Sequence, residues 1–261
     1  MRSLDIAATG MQAQQLYVDV TSQNLANINT TAYKLQRPEF TDLLYQNQRA
    51  AGANSSDNGT IVPTGIQIGL GVRISAIERN TTQGTLTQTS APLDVAIQGR
   101  GYFSVTLPDG TTGYTRSGGF QIGPDGSIVT ADGFQVTPSI TIPQNATSIS
   151  IDQSGEVSVT IPGQTTPSIQ GQMQTVNFIN EAGLQAEGNN LYTETSASGS
   201  PISGTPGKDG FGTILEGFLE SSNVNPVTEL TNLIKAQRVY EMNSKVVTKS
   251  DEMLQSLNQS V

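Results

Sequence analysis

Apolar residues recur every seven positions at the C-terminal end of the chain. Leu233, Tyr240, Val247, Leu254 and Val261 form one row, Val239, Val246 and Met253 a second beside it, and Leu230, Ile234 and Leu257 widen the stripe. A strict seven-residue repeat keeps one seam of a helix turned toward a partner. Asn225 is a good N-cap, Pro226 suits the first helical position and Glu229 falls in the first turn, so the helix is predicted over 225–261. At its usual rise it would be roughly 50 Å long. A weaker stripe of Leu4, Ala8, Met11, Val18 and Leu25, with Gln15 and Ser22 in its polar slots, predicts a second helix over 3–28. That helix carries Gly10 and is marginal by itself. Pairing it with the C-terminal helix would bury both stripes and make everything between them an insertion.

The insertion has a different period. Asn and Thr residues in 24–31 compete with the helix and end it, and Pro38 forces an extended backbone before it. Residues 40–49 fit a short helix or a strand equally well. Residues 50–60, rich in Gly, Ser and Asn, predict a loop or mobile arm, and Ile66, Ile68, Leu70, Val72 and Ile74 alternate as in a strand. From about 71 to 220 the pattern is β throughout. Pro108-Asp109-Gly110, Pro124-Asp125-Gly126, Ala131-Asp132-Gly133 and Asp152-Gln153-Ser154-Gly155 are turn sequences between short apolar alternations, and 215–219 reads as a last strand. The expected fold class is mixed α and β: long N- and C-terminal helices paired as a coiled-coil stalk, with an inserted, elongated all-β domain. The expected domains are 1–30 with 225–261, a connecting segment with an extended arm over 31–70, and a β domain over 71–224.

Composition narrows the chemistry. The 261 residues include no Cys, His or Trp. That excludes a disulfide scaffold and thiolate chemistry, and removes the commonest general base and metal ligand. A net charge of -9 argues against nucleic acid and anionic membrane surfaces. No apolar run reaches transmembrane length, and Asp5 stands where a secretory signal would be hydrophobic. Composition alone therefore fits a cytoplasmic protein, or one exported with its N-terminus intact.

No motif carries catalysis. Gly99-Arg100-Gly101 begins like a dinucleotide loop, but Ser104 replaces the third Gly and no helix follows, which predicts a tight turn or bulge. Gly207-Lys208 lacks the rest of a phosphate loop, since Ile202 and Asp209 stand at its other required positions. Asp152, Ser154 and Glu156 alternate like the start of a calcium loop but lack its closing Glu, and read as a solvated turn. No catalytic, cofactor-binding or metal residue is assigned and no cofactor is expected. A secreted carbohydrate-active protein using two carboxylates stays open on the residues alone.

Two long segments, one from Asn24 to Lys34 and one from Ser222 to Asn243, resemble signatures of the bacterial flagellar rod and hook proteins. Asn24-Leu25-Ala26-Asn27, then Thr30, Tyr33 and Lys34, resembles the N-terminal signature, with Ala32 where the pattern has Gly. Ser222-Asn223-Val224-Asn225, Glu229 and Gln237-Arg238-Val239-Tyr240-Glu241-Met242-Asn243 resemble the C-terminal one. Asp94 to Phe103 and Tyr114-Thr115-Arg116-Ser117-Gly118 look like the family's middle motifs. Chain length and the stretch from Asp42 to Arg73 look most like distal-rod members. A proximal-rod or hook component is the alternative.

The resemblance implies a structural subunit, not an enzyme. It implies export through the flagellar type III apparatus without a cleaved signal and polymerisation into a rigid helical tube in the periplasm. The tube would cross the peptidoglycan to the outer membrane and carry motor torque to the hook. Implied partners are further copies of the chain, proximal-rod proteins, hook protein, the export apparatus, and P- and L-ring proteins as a bushing, with no membrane insertion. The expected assembly interface comprises Leu4, Met11, Val18, Leu25, Leu230, Leu233, Ile234, Tyr240, Val247 and Leu254. Residues 46–65 are expected to form an arm reaching neighbouring subunits.

Overall fold

The computed structural model describes residues 2–49, 52, 63–164 and 166–259. The chain divides into two units. A helical unit comprises Met1–Ala26, Gln36–Glu78 and Asn225–Val261, and a β unit comprises Asn27–Leu35 and Arg79–Val224.

In the helical unit, α1 (Arg2–Ala26) packs against α2 (Pro226–Gln259). Asn225 caps α2 as its position predicts: Oδ1 accepts the amides of Val227 at 3.0 Å and Thr228 at 3.3 Å. The helices run antiparallel in a seven-residue register. Ser3 Oγ lies 3.4 Å from Ser250 Oγ, and Asn24 Nδ2 donates to Glu229 Oε2 at 3.0 Å. Midway, a Cβ placed on Gly10 would sit 2.8 Å from Asn243 Nδ2, so Gly10 leaves room for Asn243.

Residues 40–49 prove extended. Gln36–Asp42 joins Val72–Arg79 in one two-stranded sheet, and Tyr45–Arg49 pairs antiparallel with Ile66–Gly69 in another. The rings of Tyr17 on α1 and Phe40 stack at 6.3 Å. The second pair flanks the expected arm, of which 50, 51 and 53–62 lie outside the described residues. The alternating apolar residues between 66 and 77 do not make a core here, since Ile66, Ile74 and Ile77 are exposed.

The β unit contains, among the described residues, a nine-stranded antiparallel sheet centred on Tyr102–Thr106. That strand pairs with Thr112–Thr115, Gln135–Thr137 and Thr175–Asn177. It is buried on both faces. Phe103 and Val105 enter an aliphatic core with Val95, Ile97, Ile128, Val157 and Ile214. Tyr102 points the other way, into an aromatic cluster with Tyr114, Phe178 and Tyr192. Side chains alternate along a strand, so one strand can anchor two cores.

The turn sequences close as read: Leu107 N–H donates to Thr111 O at 2.9 Å, Gly123 to Ser127 at 2.8 Å, Thr130 to Phe134 at 2.8 Å and Asp152 to Glu156 at 3.0 Å. The last strand is two. Gly217, at φ 70°, breaks it into Thr213–Glu216, which pairs with Val95–Gln98, and Phe218–Glu220, which pairs with Leu86–Gln88.

Candidate functional site

The α1–α2 seam is made mainly of small and polar groups. Ala7, Ala13, Val20, Thr21 and Asn24 are buried on α1, and Glu229, Ala236 and Ser250 on α2. Short side chains let the helices approach closely, and Asn24 pairs with Glu229 and Ser3 with Ser250 across the seam. Asn24 is fully engaged there: Nδ2 donates to Gln36 O at 2.8 Å and to Glu229, while Oδ1 accepts the Gln36 amide at 3.0 Å.

The large apolar residues expected at the interface therefore stand beside or away from this seam. Leu4, Met11, Val18 and Leu25 are half-buried, each one position past 3, 10, 17 and 24. Leu233, Val247 and Leu254 are half-buried too. Leu230, Ile234 and Tyr240 are exposed at 46%, 50% and 42%. The second row divides, with Val239 half-buried and Val246 and Met253 exposed. Val227 and Met242, which the seven-residue reading passed over, are exposed as well. Between the helices, Gln15, Val18, Gln237, Tyr240 and Glu241 line an open groove of 370 Å³. The residues that close the seam were missed because their row, Glu229, Ala236, Asn243 and Ser250, keeps the seven-residue spacing without being apolar.

In the β unit the resembling motifs meet at one buried charge cluster. Lys34 Nζ lies 2.6 Å from Glu220 Oε1, and Arg116 Nε lies 2.7 Å from Glu220 Oε2. All three side chains are at most 3% exposed. Remaining donors go to backbone oxygens: Lys34 Nζ to Thr82 at 2.9 Å, and the Arg116 guanidinium to Gly101 at 2.9 Å and to Gly99. Gly99 and Gly101 hold φ of 112° and 145°, which turns their carbonyls to Arg116, so the Gly-Arg-Gly turn is a guanidinium cradle. Burial alone would push the Glu220 carboxyl up, but Arg116 and Lys34 together hold it below the usual carboxylate range. Burial lowers the Lys34 ammonium, Glu220 pulls it back up, and the like charge of Arg116 lowers it further. One carboxylate shared by two cations cannot compensate both. Glu220 carries no one-dimensional signal, being a lone acid after Phe218 and Leu219.

The other motif residues build the surrounding turns. Thr30 Oγ1 donates to Asn27 Oδ1 at 3.0 Å, and Ser222 Oγ accepts the Val224 amide at 3.3 Å. Leu25 and Tyr33 are half-buried, whereas Ala26, Gln237 and Arg238 are exposed. Ala32 keeps the left-handed backbone that Gly would supply, at φ 58°, with its amide donating to Glu220 O at 2.7 Å. A Cβ in that region is strained by about 1 kcal/mol. Ala32→Gly is expected to raise the stability of the β unit by about 0.5–1 kcal/mol, read as a higher urea midpoint at unchanged slope.

Among the described residues, no helix is long and apolar enough to cross a membrane, and no group of His, Cys, Asp and Glu is placed to hold a metal ion. Three family models match the chain: "Flagella basal body rod protein" over residues 4–34, "Flagellar hook protein FlgE/F/G D1 domain" over 96–159, and "Flagellar basal body rod FlgEFG protein C-terminal" over 215–260. The chain is similar to three proteins named flagellar basal-body rod protein FlgG. That of Caulobacter vibrioides is 54% identical over 99% of each chain. That of Borreliella burgdorferi is 45% identical over 97% of this chain and 96% of its own. That of Bacillus subtilis is 40% identical over 98% of each.

Proposed function

Since the chain belongs to the flagellar basal-body rod protein family, we propose that it works as a structural subunit of the distal rod, with α1 and α2 polymerising into the wall of a rigid tube. The chain is a non-enzymatic axial component of the basal body and assembles with other axial flagellar proteins. One observation carries the mechanical reading. The intramolecular helix pair closes on small and polar residues, which leaves Val227, Leu230, Ile234, Met242, Val246 and Met253 exposed on α2. Exposed apolar rows of that extent on a helix mark an interaction surface. Sister molecules bearing the same rows are its natural cover, and head-to-tail contacts of this kind propagate without closing.

The finer reading follows from that premise. The tube is the drive shaft that passes torque to the hook, joined below to proximal-rod proteins and above to hook protein, and turning inside the P- and L-rings. It crosses the periplasm and peptidoglycan to the outer membrane after type III export with no cleaved signal. The terminal helices form the inner tube and the β region the outer layer.

Assembly is tested by concentrating the purified chain, or seeding it with basal bodies, and imaging by electron microscopy. Straight tubes of one diameter are expected. A species that stays monomeric at every concentration, seeded or not, would count against the proposal.

A further inference from the structure

The chain passes between its two units at 26/27, 35/36, 78/79 and 224/225. Within the β unit, the ends of the last three passages are held together by one side chain. Asn223 Oδ1 accepts the Leu35 amide at 2.7 Å. Its Nδ2 donates to Asn80 O and to Thr82 O, both at 3.0 Å, and its own amide donates to Tyr33 O at 3.3 Å. Asn80 N–H closes the ring onto Leu35 O at 2.8 Å. Leu35, Asn80 and Asn223 each lie within one residue of a passage.

We infer that Asn223 is a torsional lock: it binds three chain passages into one rigid root, so that load entering the β unit is shared by three segments rather than borne by single-chain hinges. The inference rests on the drive-shaft reading above. Its physics is local. A lone connecting segment yields through a few φ and ψ angles. Three segments bonded to one planar group cannot turn independently. The group needs a donor face and an acceptor face on one short side chain. Among residues of this size Asn alone supplies both, because Asp lacks the N–H and Ser cannot span the gap. The neighbouring Lys34–Glu220–Arg116 cluster clamps the same segments one residue earlier and three residues before Asn223. The lock is therefore backed by charges that do not depend on it. Removing Asn223 should loosen the Leu35 and Asn80 ends of the root, while the cluster keeps the unit folded.

Hydrogen exchange on full-length wild type, Asn223→Ala and Asn223→Asp tests this, together with the bending of assembled rods. In Asn223→Ala, exchange is expected to accelerate roughly tenfold or more at Leu35, whose amide donates to Asn223 Oδ1, and at Asn80, whose amide donates to Leu35 O, with Phe103 and Val105 unchanged. In Asn223→Asp, which keeps the acceptor but turns a carboxylate toward the carbonyls of Asn80 and Thr82, Leu35 should stay protected while Asn80 opens. Rods of the alanine variant should bend more than wild-type rods. Unchanged exchange at both amides in both variants, with rods as straight as wild type, overturns the lock. If wild-type protein forms no rods, the functional reading fails and exchange alone decides the lock. If Asn223→Ala fails to fold, the aspartate variant decides it by the same amides.

Discussion

Glu220→Gln is expected to lose about 3–5 kcal/mol of stability, read as a much lower urea midpoint for the β unit. The carboxylate touches both Lys34 and Arg116, and all three side chains are almost wholly excluded from water. Without it, two buried cations face each other uncompensated. The neutral amide still fills the space, so the loss is electrostatic and no cavity is made. A variant with all three residues replaced by apolar ones should lose less than Glu220→Gln alone, because it buries no unpaired charge. Urea unfolding of the three proteins, followed by circular dichroism, gives the order.

The same site sets an acid limit. Glu220 has a folded pKa below its ordinary value of 4.5. Its contribution is therefore fully present above about pH 4.5 and is lost as pH falls through the depressed folded value. Wild type should lose stability over that acid window. The Gln variant, already weakened, should show a shallower loss there. An equal acid slope in both would remove Glu220 from the account.

Ile234→Asp or Val246→Asp is expected to abolish polymerisation while leaving the monomer folded. Both side chains are about half exposed and neither closes the α1–α2 seam. In the free chain the substitution is a surface change, worth within about 0.5 kcal/mol. In a polymer the new carboxylate would be buried against an apolar row. An unpaired buried charge costs several kcal/mol, and each 1.4 kcal/mol is tenfold in an equilibrium constant. The critical concentration for assembly should rise by about a hundredfold or more. Sedimentation at increasing concentration, alongside the thermal midpoint of the monomer, separates the two effects. Normal assembly by both variants would place the interface elsewhere. Leu233 and Leu254, half-buried beside the seam, make poorer probes, because a change there disturbs the helix pair as well.

Much of this molecule is legible along one dimension. The repeat from Leu233 to Leu254, the cap at Asn225 and the Gly-bearing turns at 110, 126, 133 and 155 are set by neighbours within a few residues, so two terminal helices, the β character between them and the signatures of the family can be read along the chain. The rest depends on contacts between distant segments. The seven-residue repeat announced that α2 has a partner, but the row that closes on α1 is Glu229, Ala236, Asn243 and Ser250, because close approach rewards small side chains and leaves the large ones outside. Tyr102–Val105 feeds two cores because sheet and loops cover both its faces. Lys34, Arg116 and Glu220, like Leu35, Asn80 and Asn223, meet only once the chain has folded back on itself. A period or a turn is a property of adjacent residues, whereas the balance of buried charge is a property of the path the whole chain takes.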